Sequence, residues 1–145
     1  TVVDTCGYSP WEAVEAVAEE TDLFLYDLKL MDDAKHRRYT GASNRRILDN
    51  LRRLSELGAS IRLRVPVIPG VNDDEEEVHR LGTFAARLPN VTRVDLLPYH
   101  PTGKGKYERL GREYPLPDLR PPSEERIQEI ARLLENFGLE VGIGG

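Results

Sequence analysis

Short apolar runs of strand length alternate along the chain with longer segments of helical hydrophobic spacing. This alternation is typical of units in which a helix connects two parallel strands. Because helices then cover the strands, the pattern predicts an α/β fold built on one parallel sheet. The predicted strands are residues 2–5, 23–28, 61–67, 94–97 and 139–143.

Four helices are predicted between these strands. Leucines at helical spacing run through residues 43–57 and stop at Gly58, a residue typical of helix ends. Ser9 is the predicted cap of the first helix and Ser123 that of the last. An acidic run suits the start of the third helix electrostatically. The predicted helices are residues 10–20, 43–57, 73–88 and 124–138.

Residues 98–122 break this pattern. They contain six prolines and three glycines and show no helical or strand periodicity. A loop of this length inside a compact domain is usually functional or disordered. We therefore expect residues 101–122 to form a surface loop, either with a role at the site or without one.

The composition is that of an ordinary globular domain. The chain has 145 residues, of which 39% are hydrophobic and 31% charged, enough for one domain with its own core. No apolar run approaches the roughly 18 residues that span a bilayer. The formal net charge of −5 disfavours a nucleic-acid-binding module, which needs a surplus of Lys and Arg. We expect a protein that binds neither membranes nor nucleic acids.

The single cysteine and two of the histidines receive no role. Cys6 permits no intrachain disulfide and no multi-cysteine metal site, which is typical of a reducing compartment. His36 and His79 are expected on helix surfaces. The chain begins with Thr1, and no signal-peptide pattern precedes the first strand. We predict a cytoplasmic protein of which this chain is a part.

Charged residues stand at the ends of four predicted strands. Alternate side chains of a strand share a face, so Asp27 and Lys29 lie with Leu25 on the face opposite the apolar residues. In parallel sheets, ligands bind at the carboxyl ends of the strands, and unpaired charges inside the protein are costly. This predicts a polar pocket for a small zwitterionic ligand. Its predicted residues are Asp4, Asp27, Lys29, Arg64 and His100.

Other interpretations of these residues remain open. Asp27 and Lys29 could form a structural ion pair, and Asp4 with Thr5 could form a turn before Gly7. His100 could be an ordinary loop residue. Lys29 could also be the Schiff-base amine of a TIM-barrel lyase or aldolase, which borohydride trapping of a carbonyl substrate would reveal.

Five blocks, in order, resemble the glycyl-radical-enzyme activating proteins of the radical S-adenosylmethionine superfamily, of the pyruvate formate-lyase activating type. Together they cover essentially the whole chain. The blocks are DTCGY, LFLYDLKLMDDAKHRRYTGASNRRILDNLRRL, RVPVIPGVNDDEEEV, VDLLPYHPTGKGKYERLGREYPL and PPSEERI.

The resemblance implies a partial TIM barrel, of which residues 1–145 would be the C-terminal portion with four to five strands. It implies reductive cleavage of S-adenosylmethionine by a four-iron four-sulfur cluster, followed by hydrogen abstraction from a glycine of the partner enzyme. The implied partners are a glycyl-radical enzyme such as pyruvate formate-lyase and reduced flavodoxin or ferredoxin as the electron donor. The loop at 101–122 would then lie near the barrel mouth and help present the partner's glycine.

The resemblance also implies a role for each matched position at the strand ends. All of these roles are contacts to the cosubstrate or to a bound ion, and none is catalytic. Asp4 and Thr5 would lie near the methionine carboxylate and a monovalent cation. Asp27 and Lys29 would contact the ribose and methionine portions. Arg64 and His100 would line the nucleoside pocket.

Two motifs of the family are absent from this sequence. They are the three cluster cysteines, spaced Cys-x3-Cys-x2-Cys, and the Gly-Gly-Glu segment for the methionine amino group, both expected upstream of Thr1. Cys6 cannot replace three ligands of a four-iron cluster. The chain alone is therefore expected to be inactive. The alternative is a non-catalytic α/β module that binds a nucleotide or a protein.

The first strand is predicted to lie at an exposed edge of the sheet. Without the family's preceding strands, residues 2–5 would form an exposed sheet edge, and exposed edges pair with other chains. We therefore predict self-association, which a monodisperse monomer in light scattering would contradict.

Overall fold

Five strands form one parallel sheet in a computed structural model that describes residues 1–99 and 120–144. The strand order follows the chain, so every strand pairs with its sequence neighbours, as in the wall of a barrel. The predicted parallel α/β architecture is confirmed. The strands are β1 (Val2–Thr5), β2 (Leu23–Asp27), β3 (Ile61–Val67), β4 (Val91–Pro98) and β5 (Val141–Ile143).

The four predicted helices are present, and a further short helix lies between the second and third strands. Ser123 caps the last helix as predicted, since its Oγ accepts a hydrogen bond from Arg126 N at 3.1 Å. The predicted Ser9 cap is wrong, because Pro10 occupies the cap position and makes no side-chain cap bond. The helices are α1 (Trp11–Ala18), α2 (Asp33–Thr40), α3 (Arg45–Glu56), α4 (Glu75–Ala86) and α5 (Glu124–Glu135).

The hydrophobic core lies between the helices and one face of the sheet. Strand β3 shows how the sequence makes this division, since its odd-numbered residues are buried and its even-numbered residues are more exposed. Leu63 and its strand neighbours Tyr26 and Val94 are fully buried against helix residues such as Leu51 and Leu54. The opposite face carries the charges of β1 to β4. We call it the polar face.

Helix α2 buries a histidine that was expected on the surface. The helix begins at the cap residue Asp32, whose side chain accepts from Lys35 N at 2.9 Å, and ends at Gly41 with a φ of 82°. His36 is only 4% exposed, so its predicted surface position is wrong. Its Nδ1 lies 2.6 Å from Ala42 O, and this contact gives the buried ring a polar partner. His79, by contrast, is exposed as predicted.

Strand β1 is at one edge of the described sheet, and Val2 on it is 59% exposed. Both facts agree with the premise of the self-association prediction, which itself stays a prediction. In the described part of the chain, no helix is long and apolar enough to cross a membrane.

The start of α2 is joined to the start of α3 through one carboxylate. Asp33 Oδ1 accepts from Asn44 N at 2.9 Å and from Ser43 Oγ at 2.8 Å. The Asn44 bond first, and then the Ser43 bond, lower the pKa of Asp33 from its ordinary value of 3.8. A carboxyl whose pKa is lowered by folding stabilises the fold above its unfolded pKa and loses that effect as the pH falls through the folded value.

We therefore expect Asp33→Asn to lower the melting temperature at pH 7 and to have a smaller effect below about pH 3.8. Circular dichroism melts from pH 7 down to pH values near 2 would measure the difference. Asp49→Asn is the matched control, because Asp49 is half exposed and pairs with Arg52 three residues away on the same helix. An equal difference for Asp33→Asn at every pH would contradict the prediction.

Candidate functional site

Three charged side chains from three adjacent strands meet on the polar face near the carboxyl ends of the strands. Arg64 Nη1 lies 3.1 Å from Asp4 Oδ2, and Arg64 Nε lies 3.3 Å from Asp27 Oδ1. The second contact is an ion pair, since Nε is not aligned for a hydrogen bond. Three of the predicted pocket residues are therefore brought together. We call Asp4, Asp27 and Arg64 the Arg64 cluster.

The strand register explains how this cluster forms. Asp27 on β2 stands directly opposite Arg64 on β3, and Asp4 on β1 stands opposite Leu25. All four therefore share the polar face, because residues that oppose one another across parallel strands point the same way. Adjacent strands lie about 4.8 Å apart, so the long Arg64 side chain crosses β2 to reach Asp4. The alternation along each strand places the charges on one face, and the order of the strands brings them into contact.

The cluster combines partial burial with a net negative charge. The side chains of Arg64, Asp27 and Asp4 are 24%, 31% and 60% exposed. Two carboxylates face one guanidinium, so these three side chains together carry a net charge of −1. Carboxylate oxygens accept hydrogen bonds from hydroxyl and ammonium groups, and a guanidinium binds a carboxylate. The arrangement thus suits a ligand that carries both kinds of group.

The other predicted site residues are placed less directly. Lys29 follows β2, and its ammonium makes no ion pair or hydrogen bond within residues 1–99 and 120–144. The structural Asp27–Lys29 ion pair that the sequence left open is therefore not observed there. Thr5 stands opposite the buried Tyr26, on the other face from Asp4, and its hydroxyl accepts from Gly7 N at 3.0 Å. His100 lies outside the described residues.

A second ion pair beside the Arg64 cluster was missed in the sequence. Asp95 on β4 stands opposite Arg64, is 6% exposed, and accepts from Arg93 Nε at 2.6 Å. That hydrogen bond raises the pKa of Arg93. Gly142 leaves room for the pair, because a Cβ there would lie 1.9 Å from Arg93 Nη2. The strand was predicted to begin at residue 94, so the alternation that includes Arg93 was not followed.

The residues of this chain do not fit an iron–sulfur cluster. Cys6 is the single cysteine, whereas such clusters are held by several cysteine thiolates. Among the described residues, no group of three or more His, Cys, Asp or Glu side chains is arranged to hold a metal ion.

Comparisons with known proteins agree with this fold. The model of the Radical SAM superfamily matches residues 1–82. The chain is 49% identical over 145 residues to the trans-4-hydroxy-L-proline dehydratase activating enzyme of Clostridioides difficile, and 37% identical over 145 residues to the pyruvate formate-lyase 1-activating enzyme of Escherichia coli. A crystal structure of a domain of pyruvate-formate lyase-activating enzyme from Bacteroides vulgatus superposes with a TM-score of 0.83 at 34% identity.

These matches cover nearly all of this chain but a smaller share of each matched protein. They cover 99%, 97% and 99% of this chain, respectively. The chain spans about half the length of the curated relatives, 48% and 58%, and 80% of the crystallised domain. The likeness therefore extends over all of this chain but only part of the two enzymes.

Proposed function

Because the chain belongs to the radical S-adenosylmethionine superfamily and is homologous to glycyl-radical-enzyme activating enzymes, we propose that it forms the S-adenosylmethionine-binding portion of such an enzyme. The whole enzyme would generate a glycyl radical on a partner enzyme. S-adenosylmethionine, once bound, supplies a sulfonium group that one-electron reduction cleaves. This chain's contribution is to bind and orient the cosubstrate.

The observation that carries the proposal is the Arg64 cluster. S-adenosylmethionine has a sulfonium, an ammonium, a carboxylate and a ribose diol, so its net charge at neutral pH is positive and that of the cluster is negative. Asp27 offers acceptors for the ribose hydroxyls, Asp4 would face the methionine carboxylate together with a bound cation, and Arg64 offers its guanidinium to the nucleoside.

The remaining residues complete the proposed site. Lys29 would contact the ribose and methionine portions, and His100 would line the nucleoside pocket. Asp4 would also face the monovalent cation. Thr5 would contribute by holding the turn after β1, because its hydroxyl already accepts a hydrogen bond from Gly7 N. Reduced flavodoxin or ferredoxin is the proposed electron donor of the whole enzyme.

The named relatives support a shared activating function for this region. Three of them activate different enzymes by name, a trans-4-hydroxy-L-proline dehydratase, a pyruvate formate-lyase and a choline trimethylamine-lyase. Each nevertheless matches 97% or more of this chain. We therefore propose a glycyl-radical enzyme as the partner class.

A non-catalytic module that binds a nucleotide or a protein is the second candidate function. The single cysteine favours it, since this chain cannot hold the cluster by itself. Reading the codons upstream of Thr1 distinguishes the two candidates. An in-frame Cys-x3-Cys-x2-Cys supports the activating enzyme, and a start codon without that motif supports the module.

The test of the proposed function is anaerobic iron reconstitution of the protein from its full reading frame. With S-adenosylmethionine and dithionite, we expect 5′-deoxyadenosine to accumulate, as measured by liquid chromatography. Asp27→Asn should reduce the amount formed, and the exposed Asp49→Asn should not. A complete, iron-loaded protein that leaves S-adenosylmethionine intact would overturn the proposal.

A further inference from the structure

Three buried polar side chains bind the backbone that follows β2. They are Asn44, Asn72 and Glu77, which are 3%, 8% and 5% exposed. Each comes from a different part of the chain, and each directs its polar atoms at residues 29–32, the connection between β2 and α2. Burying a polar side chain is costly unless its hydrogen bonds are satisfied, so this arrangement needs an explanation.

Asn72 joins the ends of β2 and β3. Its Nδ2 donates to Lys29 O at 2.9 Å and to Pro66 O at 2.5 Å, while its Oδ1 accepts from Ile68 N at 2.8 Å. All three bonds are to backbone groups, so the side chain ties two strand ends together. Asn44 adds two more bonds, from its Nδ2 to Leu30 O at 3.1 Å and to Met31 O at 2.8 Å.

Glu77 holds the same connection from helix α4. Its Oε2 accepts from Met31 N at 2.9 Å, and its Oε1 accepts from Asp32 N at 2.8 Å. Hydrogen bonds from backbone N–H groups to a carboxylate are stronger than those between neutral groups. Together, the three side chains bond the carbonyls of Lys29, Leu30 and Met31 and two successive amides. We call Asn44, Asn72 and Glu77 the loop clamp.

The loop clamp matters for Lys29 because β2 ends before it. The strand runs to Asp27. A further backbone bond to β3, from Leu28 N to Arg64 O at 2.9 Å, extends the pairing by one residue, to Leu28. Beyond that point, the backbone of Lys29 is held by Asn72 and by the bonds to its neighbours. Asp27 is fixed by the sheet, and Lys29 is fixed by the loop clamp.

We propose that Asn44, Asn72 and Glu77 are positioning residues that place Lys29 to contact S-adenosylmethionine. The inference rests on the proposed function and adds three buried residues to it, whose observed hydrogen bonds all go to backbone groups. Apolar side chains would fill the same volume, but they would leave the five backbone groups unsatisfied and the loop free to shift. An error of about 1 Å in a binding group is enough to lower affinity severely.

Glu77→Gln tests this in the protein from its full reading frame. Glutamine has the shape of glutamate but presents an amide N–H₂ to Met31 N or Asp32 N, so one bond becomes a repulsion. We expect the dissociation constant for S-adenosylmethionine, measured by isothermal titration calorimetry, to rise about tenfold. Hydrogen exchange at Met31 and Asp32 should also accelerate. Glu76→Gln is the matched control, because Glu76 is 72% exposed and pairs with Arg80 on the same helix.

A double-mutant cycle with Lys29→Ala separates positioning from general destabilisation. If Glu77 acts through Lys29, Glu77→Gln should change the dissociation constant less than twofold once Lys29 is alanine. The same tenfold loss in both backgrounds would overturn the inference. So would a Glu77→Gln protein that binds as tightly as Glu76→Gln. Asn44→Ala repeats the cycle by removing the two bonds to Leu30 and Met31, should Glu77→Gln not fold.

The two proposals fail in different ways in this experiment. An unmodified protein that binds no S-adenosylmethionine overturns the proposed function. An unmodified protein that binds it, together with unchanged binding by the loop-clamp variants, overturns only the positioning role.

Discussion

Replacing Arg64 with methionine should weaken S-adenosylmethionine binding roughly a hundredfold, which corresponds to about 3 kcal/mol. The substitution keeps much of the side chain's length but removes the guanidinium that lies between Asp4 and Asp27. The two carboxylates then repel each other, and the nucleoside loses its contact with the guanidinium. Isothermal titration calorimetry on the protein from its full reading frame would measure the loss.

The same substitution should affect stability far less than binding. Arg64 and its two partners are between about a quarter and three fifths exposed, so water screens their interaction. We expect the free energy of unfolding to fall by about 1 kcal/mol, as measured by urea denaturation. A fold that collapsed without Arg64 would mean that the cluster is chiefly structural.

Arg62→Met is the matched control for this prediction. Arg62 lies on the same strand and the same face, two residues earlier, and its Cα stands opposite Leu25 and Arg93 rather than opposite an acidic residue. Its loss removes the same charge from the polar face and leaves the Arg64 cluster intact. Equal weakening by both variants would show that the general positive charge of β3 matters, and that the cluster does not.

The strand pattern could be predicted because it is a local property. On β3, the alternation of Arg62 and Arg64 with Ile61, Leu63 and Val65 assigns both faces directly, and the structure agrees. Helix α2 could not be found in the same way. Its residues are almost all polar, and His36 is the one that is buried. Its Asp32 cap and the glycine at its end are the signals that could have identified it.

The candidate site was predictable only in part. The alternation of side chains along each strand predicts that Asp4, Asp27 and Arg64 share one face. The 3.1 Å contact between Arg64 and Asp4 across β2 depends instead on the order of the strands, which is a tertiary property. The loop clamp could not be predicted, because Asn44 and Glu77 look like the surface residues of two helix starts. Their burial follows from how the helices pack, and no local pattern contains that information.

Buried asparagines fix the connections after both β1 and β2. Asn50 on α3 donates to Gly7 O at 2.7 Å and to Ser9 O at 2.8 Å, just as Asn72 donates to Lys29 O. An amide side chain suits this task because its N–H₂ group can bond two carbonyls at once. The connections after β1 and β2 are therefore held by side-chain amides and, after β2, also by the Glu77 carboxylate, while the sheet holds the strands.

Gly7→Ala should be the most destabilising single-methyl change near this site. Gly7 has a φ of 69°, which costs other residues about 1 to 2 kcal/mol. A Cβ at this position would also lie 1.7 Å from the hydroxyl oxygen of Tyr26, which is fully buried and bonded to Ile47 O at 2.5 Å. Overpacking adds about 1 to 3 kcal/mol. We expect the free energy of unfolding, measured by urea denaturation, to fall by about 2 to 5 kcal/mol.

Gly58→Ala separates the two causes. Gly58 has a φ of 86°, but a Cβ there would have nothing within 4 Å, so its substitution tests backbone strain alone. The excess cost of Gly7→Ala over Gly58→Ala then measures the collision with Tyr26. That excess should shrink in a Tyr26→Phe background, because the nearest atom, the hydroxyl oxygen, is absent. If the excess persisted unchanged, the contact with Tyr26 would not be the reason that this turn requires glycine.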